Sequence, residues 1–111
     1  MKKHLLLAFL LLSPLLLWGY PPGKCGGDYK FGMEQLYRWH SPSMAGIEFA
    51  KSCRNGCGKG CFMMGKLLEL GWGEPKNLKE ALSYYRQACQ LRMEKGCKRA
   101  KIVIQKMKRG K

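Results

Sequence analysis

Five of the six cysteines in this 111-residue chain fall on one spacing. Cys25, Cys61 and Cys97 stand 36 residues apart, and Cys53 and Cys89 are separated by the same interval. A fixed period of this length marks a repeat architecture, in which each copy is one supersecondary unit that buries its apolar face against the next. Neighbouring residues keep the phase: Ala45, Phe49 and Cys53 align with Ala81, Tyr85 and Cys89, and Gly60-Cys61 aligns with Gly96-Cys97. Between residues 26 and 44 the agreement fades. The period divides the chain into a degenerate N-terminal part of a first repeat (20–44), the end of that repeat (45–60), a clear repeat (61–96) and a terminal helix with a basic tail (97–111).

Within the clear repeat, Leu78, Ala81, Leu82, Tyr85, Ala88 and Cys89 recur at i, i+3, i+4, i+7, i+10 and i+11, so all six share one face of a helix. Asn77 is placed to cap that helix, and Glu80, three residues on, to bond back in a capping box. Cys61, Met64, Leu67 and Leu68 set out a preceding helix that closes at Gly71. The segment between, Gly71-Trp72-Gly73-Glu74-Pro75-Lys76, has two glycines and a proline and forbids one continuous helix. The product is a helix, a turn and an antiparallel helix. Cys97, Ala100, Ile104 and Met107 begin a further helix ending near Gly110, and Ala45 to Cys53 mirrors Ala81 to Cys89. Gly65, Ala81, Ala88 and Ala100 let helices approach closely, while one of Tyr84 and Tyr85 faces the core and the other the rim. The fold class is all-α, with stacked antiparallel helical hairpins.

The N-terminus bears on where such a chain works. Met1, Lys2, Lys3 and His4 precede an apolar run from Leu5 to Leu12 that continues, past Ser13 and Pro14, to Trp18. A basic start and about 14 mostly apolar residues form a secretory signal pattern. A spanning helix needs roughly 20, and Pro14 would interrupt one. Residues 1–19 are therefore expected to be a signal peptide, and the mature chain to be secreted or periplasmic. In that oxidising setting six cysteines read first as a disulfide framework, which a domain of this size needs to supplement its small core.

Twenty-one basic side chains against seven acidic ones give a formal charge of +14, and losing Lys2 and Lys3 with the signal leaves 19 against seven, or +12. Lys95, Lys98, Arg99, Lys101, Lys106, Lys108, Arg109 and Lys111 all follow the last acidic residue, Glu94. Such a surplus favours anionic partners. For an exported chain these are another protein or an anionic cell-envelope component, and not nucleic acid. Trp72 in the hairpin turn and Lys98, Arg99 and Lys101 on the terminal helix are the candidate binding residues, with Trp39 as a second exposed-aromatic candidate. The terminal helix sets a stripe of Cys97, Ala100, Ile104 and Met107, with Ile102 and Val103 beside it, against many lysines. Surface-seeking membrane helices have that pattern, and so does a helix that caps a stack. The oligomeric state is not legible.

Gly60-Cys61-Phe62-Met63-Met64-Gly65, Gly71-Trp72-Gly73 and the run from Asn77 to Cys89 together resemble a Sel1-like repeat, in a cysteine-bearing form similar to the Helicobacter cysteine-rich protein family. The resemblance is specific over residues 60–97, fair over 45–59 and absent before about 45. It implies αα-hairpins stacked as a right-handed superhelix, a Sel1-like or TPR-like solenoid stabilised by disulfides, with bridges between Cys53 and Cys61 and between Cys89 and Cys97. Helix ends favour the same couples, since Cys53 and Cys89 end one helix while Cys61 and Cys97 begin the next. Closing so short a loop stabilises by about 2 to 3 kcal/mol on chain-entropy grounds. Cys25 with Cys57 remains by elimination and departs from the family pattern. A mixed pairing among Cys53, Cys57 and Cys61 is the rival.

Three thiolates at Cys53, Cys57 and Cys61 have a spacing open to zinc, but His40 stands alone and His4 lies in the signal, so no metal or other cofactor is expected. No Cys-x-x-Cys pair points to redox exchange. The resembling family includes penicillin-binding proteins with slow β-lactamase activity, which makes a hydrolase the alternative reading. No serine is followed at the third position by lysine, however: Ser41 leads to Met44, Ser43 to Gly46, Ser52 to Asn55 and Ser83 to Arg86. The expectation is a non-catalytic binding module.

Overall fold

The structure, a computed structural model, describes residues 25–110, so the expected signal peptide lies outside the described residues. Among the described residues five helices follow one another: α1 (Gly27–Tyr37), α2 (Pro42–Arg54), α3 (Gly58–Leu70), α4 (Leu78–Gln90) and α5 (Glu94–Arg109). Among the described residues there is no strand. Local chemistry sets the ends. Pro42 opens α2 in the first turn, where its missing N–H is no loss. Gly71 closes α3 at φ 68, the left-handed conformation that favours glycine.

Asn77 caps α4, its side-chain oxygen accepting from the Glu80 N–H at 3.0 Å. The expected capping box is only half formed. Asn77 N–H donates to the Leu68 carbonyl at 2.9 Å, and the Glu80 carboxylate accepts from the Asn77 side-chain amide at 3.4 Å instead. The link between α3 and α4 folds back on α3, and that earlier bond takes the donor the box would have used.

Short links reverse the chain between successive helices, and each helix packs on its neighbours in sequence, with α3 also touching α5. The two hairpins, α1–α2 and α3–α4, repeat one packing device. In the first, Tyr29 and Phe49 meet with ring centroids 5.9 Å apart, and a Cβ on Gly32 would stand 2.7 Å from the Phe49 ring. In the second, Phe62 and Tyr85 meet at 5.5 Å, and a Cβ on Gly65 would stand 2.8 Å from the Tyr85 ring. Each large ring is wholly buried and sits directly on the backbone of the facing helix.

This device corrects the repeat phase at its start. Phe49 and Tyr85 are 36 residues apart, but Gly32 and Gly65 are only 33 apart. The difference lies in the links: residues 38–41 join α1 to α2, whereas the longer segment 71–77 joins α3 to α4. Cys25 is therefore not the counterpart of Cys61, whose place in the first hairpin is taken by Asp28. α1 itself falls where the sequence period fades.

Three disulfides fasten the helices: Cys25–Cys57, Cys53–Cys61 and Cys89–Cys97, with Cα–Cα distances of 4.8, 4.5 and 4.6 Å. The second and third each tie the end of one helix to the start of the next. The first brings the start of α1 to Cys57, the N-cap of α3, so two bridges share one corner of the molecule. Intramolecular bridges of this kind suit an oxidising extracellular or periplasmic environment. At the other end of the hairpins, Gly73 at φ 78 lies against the Pro42–Ser43 backbone, and Ser43 Oγ donates to the Gly73 carbonyl at 2.9 Å.

Candidate binding surfaces

Glu69 is the one buried charged side chain among the described residues, at 3% exposure, between Leu68 and Leu70 on α3. Three donors converge on it. Tyr85 Oη donates to Oε1 at 2.7 Å, Arg99 donates through Nε at 2.9 Å and through Nη2, and Lys106 Nζ donates to Oε2. Burial alone would push the carboxyl up, but the hydrogen bonds from Arg99, Lys106 and Tyr85 outweigh it and hold the group at about 2. Burial, followed by the Glu69 carboxylate, pushes the Tyr85 phenol up, and the Glu69 hydrogen bond raises Arg99 further. A carboxylate so satisfied is a poor proton acceptor at neutral pH; its work is to hold α5 onto α3 and α4.

That places the expected binding residues in different roles. Arg99 is half-buried and engaged with Glu69. Lys98 is exposed and 3.8 Å from the Glu94 carboxylate. Lys101 is exposed and has no ion pair among the described residues. Trp72 lies in the α3–α4 turn, 41% exposed, flanked by left-handed Gly71 and Gly73. Trp39 is more exposed, with the Arg38 guanidinium 5.5 Å over its ring. The stripe on α5 is largely used in packing: Ala100 and Val103 are buried, and Ile104 and Met107 half-buried.

What sequence reasoning missed is a groove between α4 and α5 made of two hollows, of about 550 and 300 Å³, that share Leu82, Arg86 and Met107. Leu82, Ile104 and Met107 form an apolar floor, and Lys79, Arg86 and Lys108 stand around it. Its counterpart lies one repeat earlier. Gly46, Ile47, Ala50 and Arg54 on α2, each 36 residues before Leu82, Ser83, Arg86 and Gln90, line a groove that faces Glu80 and Tyr84 of α4 and Glu74 of the turn. No helix of the described residues faces the α4–α5 groove in the same way, so among them the groove is open. The signal was present in the 36-residue alignment itself, which puts Arg86 where the earlier repeat has Ala50.

Among the described residues no group of His, Cys, Asp and Glu side chains is placed to hold a metal ion, and no helix is long and apolar enough to cross a membrane. No protein-family model, no curated protein and no solved structure matches the chain.

Proposed function

We propose that this chain is an exported, disulfide-stapled Sel1-like repeat module that binds another protein or an anionic cell-envelope component, without catalysis. The observation that carries the reading is the open α4–α5 groove, an apolar floor ringed by Lys79, Arg86 and Lys108 at the end of a stack locked by three disulfides. A rigid concave surface of one charge sign recruits and orients partners of the other sign. The Sel1-like and superhelical parts of the reading draw on the recurrence of the aromatic-on-glycine contact in both hairpins. Export draws on the N-terminal pattern and on cysteines that are all bridged among the described residues.

The test is affinity capture from a cell-envelope extract with the oxidised and the reduced chain, over a range of salt. The reading expects capture that weakens as ionic strength rises and disappears on reduction. Capture indifferent to both contradicts it. N-terminal sequencing of the chain recovered outside the cytoplasm tests export, since a chain that keeps Met1 and free thiols contradicts that part. The hydrolase alternative predicts nitrocefin turnover that a single substitution abolishes.

A further inference from the structure

We propose that the α4–α5 groove docks an acidic amphipathic helix of a partner protein; this rests on the binding-module reading and adds its site and its ligand class. One repeat earlier the same face is already met by a helix. There the α2 surface looks onto α4, which presents a tyrosine and a glutamate, Tyr84 and Glu80, with Glu74 joining from the turn and Arg54 on the opposing wall. These charges share one small space: burial raises the Tyr84 phenol first, Glu80 and Glu74 raise it too, and Arg54 acts in the opposite sense. A helix bearing aromatic and acidic residues is thus the kind of element this face meets inside the stack.

On α4 the four aligned positions exchange character, Ser83 standing for Ile47 and Gln90 for Arg54. Leu82 replaces Gly46 and Arg86 replaces Ala50, while Lys79 and Lys108 flank the groove. Lys79, Arg86 and Lys108 are exposed and make no ion pair among the described residues, unlike Arg99 and Lys106, which are taken up by Glu69. The trough between two antiparallel helices accepts the ridge of a third, whose apolar side chains at i, i+3, i+4 and i+7 would anchor on Leu82, Ile104 and Met107. The unbranched Met107 adapts to the shape of its guest. A second copy of this chain is a poor occupant, because it would bring a basic surface to a basic rim. A flat lipid surface would sense the outward lysines without entering the trough between α4 and α5, where Ile104 and Met107 are half-buried.

The experiment uses the oxidised chain and three fluorescein-labelled helical peptides of 18 residues. One has a Leu/Tyr stripe flanked by Glu, one is a scramble of it, and one has Lys in place of Glu. Fluorescence anisotropy is read for the parent, for Arg86→Glu with Lys108→Glu, and for a control of equal charge change away from the groove, Lys30→Glu with Lys95→Glu. The proposal expects the patterned acidic helix to bind at least ten-fold tighter than either other peptide. It also expects at least a ten-fold loss in the groove variant and less than three-fold in the control, with peptide-induced amide protection confined to residues 79–90 and 103–109. Equal losses in both variants, no preference for the stripe, or displacement of the peptide by phosphatidylglycerol vesicles through the control lysines would overturn it. So would a dimer in sedimentation equilibrium that the groove variant abolishes. Any of these, with salt-dependent and disulfide-dependent capture retained, removes the groove and leaves the binding-module reading standing.

Discussion

The ring of Tyr85 lies so close over Gly65 that a Cβ on that glycine would stand 2.8 Å from two ring atoms and 3.2 Å from the Ala81 carbonyl. The same ring is anchored at its far end, where its hydroxyl donates to Glu69 at 2.7 Å. Tyr85 therefore cannot slide aside without breaking a buried hydrogen bond. Gly65→Ala gains about 1 kcal/mol of helix propensity yet should be net destabilising by about 1 to 3 kcal/mol, a fall in melting temperature of roughly 10 °C. Thermal unfolding followed by circular dichroism checks this; an unchanged or higher midpoint would mean the two helices have room that the structure denies them.

Ser52 gives a prediction of the opposite sign. Its hydroxyl is buried and has no hydrogen-bond partner among the described residues, and the residue one repeat later is Ala88. Both face a glycine of the next helix: a Cβ on Gly60 would stand 2.8 Å from Ser52 Cβ, and one on Gly96 2.7 Å from Ala88 Cβ. Ser52→Ala removes an unpaired buried polar group and should stabilise the fold by about 1 kcal/mol, raising the melting temperature by several degrees. A loss of stability in the same thermal scan would show that the hydroxyl has a partner after all.

The Glu69 cluster predicts a pH dependence. Its carboxyl is held at about 2 when folded, below its ordinary value of 4.5, so the unfolded chain binds the proton more readily. The associated stability is fully present above about pH 4.5 and is lost as pH falls through about 2. Its size is on the order of 2 kcal/mol, discounted because Arg99 and Lys106 are partly solvated. In urea titrations Glu69→Gln should be less stable than the parent at pH 7, with the gap closing between pH 4.5 and 2. Arg99→Ala should be destabilising at neutral pH, whereas Lys98→Ala and Lys101→Ala should stay within about 0.5 kcal/mol of the parent. A pH-independent gap for Glu69→Gln would contradict the assignment.

How much of this was legible in the sequence depended on whether the signal was local. α4 announces itself through six apolar positions on one face, and Gly71 and Pro75 mark the turn before it. α1 does not, because two glycines, Gly27 and Gly32, weaken its apolar pattern and a shorter link to α2 shifts it by three residues against the period. Gly32 looks like a helix breaker in sequence, yet its role is to seat Phe49, a contact visible only once α2 folds back. Glu69 was equally hidden. An acidic residue between two leucines acquires its meaning from Tyr85 on α4 and Arg99 and Lys106 on α5, at sequence distances no local pattern spans. The basic groove escaped notice because Leu82 and Arg86 meet Ile104, Met107 and Lys108 only once α5 packs against α4.

The bridges should differ in weight. Cys25–Cys57 spans 32 residues, while Cys53–Cys61 and Cys89–Cys97 each span eight. On chain-entropy grounds the long loop is worth about 3.7 kcal/mol and each short one about 2.5 kcal/mol. Replacing Cys25 and Cys57 by serine should therefore lower stability to denaturant more than replacing Cys89 and Cys97, by roughly 1 kcal/mol. The reverse order would mean that α1 contributes little to the cooperative unit.

The central claim, that a repeat of helical hairpins is stapled at its helix ends with Cys57 reaching back to Cys25, is tested most directly by mass spectrometry of an unreduced tryptic digest. Lysines and arginines separate all six cysteines onto different peptides, 25–30, 52–54, 55–59, 60–66, 87–92 and 96–98. The account predicts three linked pairs: 25–30 with 55–59, 52–54 with 60–66, and 87–92 with 96–98. A link between 52–54 and 55–59, or between 55–59 and 60–66, would contradict it, as would a free thiol on 25–30.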